Sequence, residues 1–245
     1  MSKPLEGRLA LVTGASRGIG NAVALALAEA GADIIAVARA RSQGALEELD
    51  DKIRAMGRNC TIVPFDLRDF DAIDRLGASI YERWGKLDIL VGNAAILGPI
   101  SPLGHITPKD WIELLDINVT ANWRLIRSLD PLLKLSKAGR AIFVTSGAAG
   151  GHYAHWGGYA VTKAALEELV MTYSAESRIT GVKVNMVNPG PIRTSMRAKA
   201  VPGENPETLP TPDQIAPLFV ELADPESEKS GERINFYDWA GIERA

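Results

Sequence analysis

The amino-acid sequence predicts a three-layer α/β fold: a doubly wound parallel sheet of about seven strands with helices on both faces. Short apolar runs alternate with segments of helical periodicity along the chain. Strand–helix alternation joined by right-handed crossovers gives an open parallel sheet between two helix layers. Runs such as Leu9–Val12 and Ile34–Val37 are apolar throughout, the pattern of strands buried on both faces. No internal repeat or low-complexity linker interrupts the 245 residues, so residues 1–245 read as one domain.

Leu9-Ala10-Leu11-Val12 is the first strand, and Ile19, Ala22, Val23, Ala26, Leu27 and Ala30 then recur at helical spacing until Gly31 ends the helix. Ile34-Ile35-Ala36-Val37 is the second strand, and a polar helix carries Leu46, Leu49, Ile53 and Met56. The strand Thr61–Phe65 precedes a helix through Ile73, Ile80 and Trp84, and Leu87–Val91 is the fourth strand. Thr107-Pro108-Lys109-Asp110 has the form of a capping box with proline at the first helical position, and opens a long helix reaching Leu135. Ala141–Thr145, a helix from Gly157 to Ile179 and the strand Val182–Val187 follow. Thr211-Pro212 opens a late helix that Pro217 should bend, and Arg233–Phe236 is the last strand. The long irregular stretch within residues 191–212 holds Pro202, Gly203, Pro206 and Pro210, and is the expected substrate loop.

Composition excludes several function classes. With 46% hydrophobic and 23% charged residues, the chain is an ordinary globular protein. A net charge of −3 argues against a nucleic-acid partner. The single cysteine, Cys60, cannot close an internal disulfide and reads as a small buried hydrophobe beginning a strand. Residues Met1–Arg8 show no apolar run after their charges, and no run of ~18 apolar residues exists, so the expectation is a cytoplasmic protein without a membrane partner.

The first strand runs into Thr13-Gly14-Ala15-Ser16-Arg17-Gly18-Ile19-Gly20. Glycines between a buried strand and a helix let backbone amides approach a pyrophosphate at a helix N-terminus. The Gly-x-x-x-Gly-x-Gly spacing also admits another phosphate ligand or an ordinary turn. The second strand ends at Ala38-Arg39, where an acidic residue would accept hydrogen bonds from ribose hydroxyls. Arg39 and Arg17 instead suit a 2′-phosphate, against the alternative that both are solvated surface charges.

Ser146 ends the fifth strand, and Tyr159 and Lys163 stand four residues apart, on one helix face. A phenol has an ordinary pKa near ~10; an adjacent cation favours the phenolate, and a hydroxyl can share the substrate oxygen. Such a set suits proton exchange with an alcohol or carbonyl oxygen, although Tyr-x-x-x-Lys alone also occurs on many surface helices.

Together these landmarks resemble the short-chain dehydrogenase/reductase family over essentially the whole chain. They are Gly14, Gly18 and Gly20; Asp66-Leu67; Asn93-Ala94; Asn118; Ser146; Tyr159 with Lys163; and Asn188-Pro189-Gly190, in that order. The resemblance implies a Rossmann-like domain that binds a nicotinamide dinucleotide, and hydride transfer from its pro-S face. It implies Tyr159 as acid/base and Ser146 as the group polarising the substrate oxygen. Lys163 would bind the nicotinamide ribose and lower the Tyr159 pKa, and Asn118 would hold a relay water. The cofactor contacts it implies are Gly14, Ser16, Arg17, Gly18, Ile19 and Gly20 in the turn, Arg39 after the second strand, Asp66 and Leu67 at the adenine, and Asn93 and Ala94 along the cofactor. Pro189, Gly190, Ile192 and Thr194 would cradle the carboxamide. NADP(H) is the expected cofactor and NAD(H) the alternative; a non-catalytic dinucleotide sensor is the rival from another class. A homodimer or homotetramer acting on a small carbonyl or alcohol is expected.

Three segments depart from the family pattern. Gly92-Asn93-Ala94-Ala95 replaces Asn-Asn-Ala-Gly, Ser230-Gly231 stands where Thr-Gly is usual, and Phe236-Tyr237-Asp238-Trp239 replaces Val-Asp-Gly-Gly. His152, Tyr153, His155 and Trp156 are candidates for the substrate mouth. His105, His152 and His155 are the only histidines and give no metal-site spacing, so no metal is expected. Val144 and Ala148 flank Ser146 where a serine-hydrolase elbow needs glycines.

Overall fold

The structure is a computed structural model describing residues 3–243; Met1 and Ser2 of the N-terminal stretch lie outside the described residues. Its strands are β1 (Leu9–Thr13), β2 (Asp33–Ala38), β3 (Cys60–Pro64), β4 (Ile89–Gly92), β5 (Arg140–Val144), β6 (Lys183–Asn188) and β7 (Arg233–Asn235). They form one sheet in the order β3-β2-β1-β4-β5-β6-β7, with every pairing parallel. The helices are α1 (Gly18–Glu29), α2 (Gln43–Ala55), α3 (Phe70–Trp84), α4 (Pro108–Leu115), α5 (Ala121–Leu135), α6 (Gly157–Ser177), α7 (Ser195–Ala200), α8 (Pro212–Ala223) and α9 (Phe236–Ala240).

The two faces of the sheet bury separate cores. Ala10, Val12, Ile34 and Ala36 point toward Val23 and Leu27 of α1, Leu46 of α2 and Phe219 of α8. The alternate residues Leu11, Ile35, Leu90 and Phe143 pack with Ile73 of α3, Leu125 of α5 and Leu166 of α6. Strand side chains alternate between faces, so runs apolar at every position serve both cores at once. At the amino ends of the strands, the buried guanidiniums of Arg8 and Arg140 are spent on carbonyls: Arg8 donates to Ala223 at 2.6 Å, and Arg140 to Pro225 at 2.7 Å. The carboxyl ends stay open at the point where chain order reverses between β1 and β4, the place where open α/β sheets bind ligands.

Four local features differ from the sequence expectations. The long helix to Leu135 is continuous but widens into a π-helical turn at Asp116–Thr120, and Asn118 sits in it. Thr107 caps α4 through the Asp110 amide at 3.1 Å, but Asp110 turns its carboxylate to the Thr107 hydroxyl, so the reciprocal half of the capping box is missing. The expected substrate loop is partly helical: Thr194 caps α7, and Arg197 and Glu204 pair through two 2.6 Å bonds. Finally, Phe236 opens α9 rather than ending β7. Cys60 is buried at the start of β3, and α8 runs through Pro217 to Ala223.

Candidate active site

One cleft spans the carboxyl ends of β1, β2, β4, β5 and β6. It runs from Arg17, Arg39 and Arg41 at one end to Ser146, Tyr159 and Lys163 at the other. The glycine turn makes its floor. Gly14 and Gly18 have φ of +69° and +56°, and a Cβ on Gly20 would collide with the Gly14 carbonyl. Only glycine allows so tight a turn into the N-terminus of α1. Asn93 locks this turn from β4: its side chain donates to the Thr13 carbonyl at 2.8 Å, while its amide donates to the Thr13 hydroxyl at 3.0 Å.

Most of the expected cofactor residues line the cleft: Gly14, Ser16, Arg17, Gly18, Ile19 and Arg39 on one side, Asp66, Leu67, Asn93 and Ala94 along it, and Pro189, Gly190, Ile192 and Thr194 at the far end. Gly20 is buried behind the turn. The Asp66 carboxylate is held low chiefly by the Arg68 side chain, which donates to it at 2.8 Å and 3.1 Å. Arg39 is lowered first by burial and then by repulsion from Arg41, with Arg17 contributing as well. Several guanidiniums crowd this end of the cleft, and an anion would relieve that repulsion. Arg41 and Ser42 were not singled out in the sequence; they reach the cleft because a single 3₁₀ turn, Ala40–Ser42, follows β2 directly. The signal was a second arginine two residues beyond the first.

At the other end, Tyr159 is 7% exposed and its ring meets Trp156 edge-on at 6.1 Å. Burial pushes its phenol up to about 12, against a lowering hydrogen bond with Ser146. The expected lowering by Lys163 is not among the causes of this shift, although the ammonium lies 5.7 Å from the ring centroid. Burial likewise brings Lys163 down to about 8, opposed by the nearby Glu167 carboxylate. The ammonium donates to the Val144 carbonyl at 2.8 Å. Of the candidates at the substrate mouth, only Trp156 lines the cleft; His152, Tyr153 and His155 are exposed, the histidines at φ +52° and +70°.

Asn118 is fully buried and does not line the cleft. Its side-chain oxygen accepts from the Ile96 amide, and its two N–H groups donate to the Ile96 carbonyl and the Thr162 hydroxyl, each at 2.9 Å. Its backbone carbonyl accepts from the Asn122 side chain at 2.9 Å. The Gly92 departure has a packing cause. A Cβ there would run into the Phe143 ring and lie 2.9 Å from the Asn122 side-chain oxygen, so Asn122 and Phe143 fill the space.

The model of the short chain dehydrogenase family matches residues 8–205. The chain is a short-chain dehydrogenase/reductase. It is 34% identical to the uncharacterised oxidoreductase YciK of Escherichia coli K12 over 228 residues, 92% of this chain and 89% of that protein. A Shigella flexneri 2a protein solved in complex with NADP superimposes with a TM-score of 0.91 at 34% identity, covering 96% of this chain and 99% of the other. An Escherichia coli CFT073 protein in complex with NADPH gives 0.91 at 33% identity, again with 96% and 99% covered. The short-chain enzyme has no group of three or more His, Cys, Asp or Glu suited to a metal ion among its described residues. No helix among the described residues is long and apolar enough to cross a membrane.

Proposed function

We propose that this enzyme is a cytoplasmic, NADP(H)-dependent oxidoreductase that interconverts a small carbonyl compound and the corresponding alcohol. The observation that carries the reading is one cleft with arginines at one end and the Ser146–Tyr159–Lys163 set at the other. The glycine turn, where a Cβ at Gly20 has no room, and the Arg17, Arg39 and Arg41 donors fit a dinucleotide carrying a 2′-phosphate. The solved relatives bound to NADP and NADPH support the same choice.

A bound nicotinamide supplies or accepts the hydride. The chain's own residues manage the oxygen. Ser146 and Tyr159 line the same end of the cleft, so a carbonyl oxygen placed between them accepts from both hydroxyls. As negative charge develops on that oxygen, the Tyr159 proton transfers to it and completes the alcohol; in the reverse direction the Tyr159 oxygen takes the hydroxyl proton. Lys163 is anchored at Val144 and keeps two N–H donors for ribose hydroxyls. Glu167, one turn further along α6, accepts from the Thr145 hydroxyl at 2.7 Å and from Arg233 at 2.6 Å, and favours the charged form of Lys163. Asn118 acts as a positioning residue that clasps the segment after β4 to α6.

The test is a fluorescence titration with NADPH and NADH, followed by turnover on a panel of carbonyls with NADPH and alcohols with NADP⁺. Quenchable NADPH binding plus turnover of at least one panel member is expected. Binding without any turnover favours the sensor, and absence of binding overturns the reading.

An oligomer is expected as well. Trp123 of α5 and Met171 of α6 are 45% and 42% exposed, on helices whose other faces are already packed on the sheet, and Ile112 of α4 is 57% exposed. Apolar helix faces of this kind are covered in symmetric dimers. Sedimentation at micromolar concentration should give at least twice the 26.3 kDa chain mass, and a monomer mass would contradict it.

A further inference from the structure

We infer that Tyr237, in the C-terminal segment that departs from the family pattern, is a positioning residue for the nicotinamide end of the cleft. The inference rests on the proposed dinucleotide reading and adds a residue to it.

Tyr237 lies in α9, under the loop that follows β6. Its hydroxyl donates to the Pro191 carbonyl at 2.7 Å. Its ring lies against Gly190, where a Cβ would come within 2.7 Å of two ring carbons, and Gly190 itself has φ +66°. The loop segment Pro189-Gly190-Pro191 is therefore fitted to this ring from below, with its upper side facing the cleft. Tyr237 is 7% exposed and packs edge-on to Phe236 at 5.8 Å. The helix beneath is fixed in turn. Phe236 is buried in the core shared with α8, and the Trp239 indole donates to Glu221 of α8 at 2.8 Å.

The same segment reaches the site by two further lines. Asn235 accepts from the Asn188 side chain at 2.9 Å, and the Asn188 oxygen accepts from the Gly190 amide at 3.2 Å. Arg233 donates to the Ser146 carbonyl at 3.2 Å. Residues 233–237 thus brace the chain at Ser146, Gly190 and Pro191. Val-Asp-Gly-Gly has no phenol or ring with which to make the Pro191 and Gly190 contacts. A brace placed here sets the loop that faces the nicotinamide and leaves the arginine end of the cleft alone.

The test compares ligands that do and do not reach this end. Tyr237→Phe keeps the ring and removes the hydroxyl, and with it the bond to Pro191. Dissociation constants for NADPH and for adenosine 2′,5′-bisphosphate, which has no nicotinamide, are measured on the full chain of parent and variant, with melting curves to show that both are folded. NADPH should weaken about three- to tenfold, the range of one neutral hydrogen bond, while the bisphosphate stays within about twofold. Unchanged NADPH affinity, or parallel weakening of both ligands, overturns the positioning role. A parent that binds neither ligand instead overturns the dinucleotide reading on which it rests.

Discussion

Tyr159→Phe should bind NADPH as the parent does and turn over at least ~10²-fold more slowly, the usual cost of a lost acid/base group. The ring is buried against Trp156, and phenylalanine fills the same space, so the cleft keeps its shape. What goes is the phenol oxygen that carries the proton. Because burial holds the phenol at about 12, Tyr159 is protonated at neutral pH. Carbonyl reduction therefore has its donor in place across the neutral range, whereas alcohol oxidation needs the deprotonated oxygen and should speed up as pH rises. Steady-state rates in both directions, with cofactor titrations, check this. Parental turnover in the Phe variant would remove Tyr159 from the acid/base role, and an oxidation rate that falls with rising pH would contradict the assigned sign.

The sheet was legible because its signal is local. Runs such as Leu9–Val12 and Ile34–Val37 are apolar at every position, the pattern of a strand buried on both faces between two helix layers. The order of the strands then follows from crossover handedness more than from any one residue. The site was legible where chemistry demands a residue type at a fixed spacing: Tyr159 and Lys163 one helical turn apart, and three glycines at a strand–helix turn.

Long-range pairing was not legible. Nothing near Gly92 announces that Phe143 and Asn122 occupy the space of its missing side chain. The π-helical turn around Asn118 leaves no mark in the helical periodicity, because it adds one residue to an otherwise continuous amphipathic pattern. In that turn Asn118 is aimed at Ile96 and Thr162 instead of the cleft. The end of β7 was misplaced for a related reason. Arg233–Phe236 has strand-like alternation, yet Phe236 finds its core under α8 by starting a helix. Glu167 and Arg233 are 66 residues apart, and their 2.6 Å pairing behind Ser146 could be found only in three dimensions.

Arg39→Ala should weaken NADPH by about one to two decades and leave NADH nearly unchanged, and Ala38→Asp should shift preference toward NADH. Ala38 is the last residue of β2 and lines the cleft with Arg39, so neither position is taken up by the core alone. No carboxylate stands at the end of β2 to hold ribose hydroxyls or repel a phosphate. Burial first, and then the neighbouring Arg41 and Arg17, disfavour the Arg39 charge until an anion arrives. A 2′-phosphate would gain from that relief as well as from direct donation, and a lost charge-assisted hydrogen bond costs roughly 1.5–3 kcal/mol. That energy corresponds to the one to two decades expected, at about 1.4 kcal/mol per tenfold. The arginine loss acts only on the phosphate, so NADH serves as the internal control for folding and for the nicotinamide end. An aspartate at position 38 adds repulsion to the 2′-phosphate and an acceptor for ribose hydroxyls, so it changes both affinities in opposite directions. The measurement is the dissociation constant of each reduced cofactor on the parent and both variants. If the parent binds NADH more tightly than NADPH, the preference is lost and Arg17, Arg39 and Arg41 revert to surface charges around an NAD(H) site.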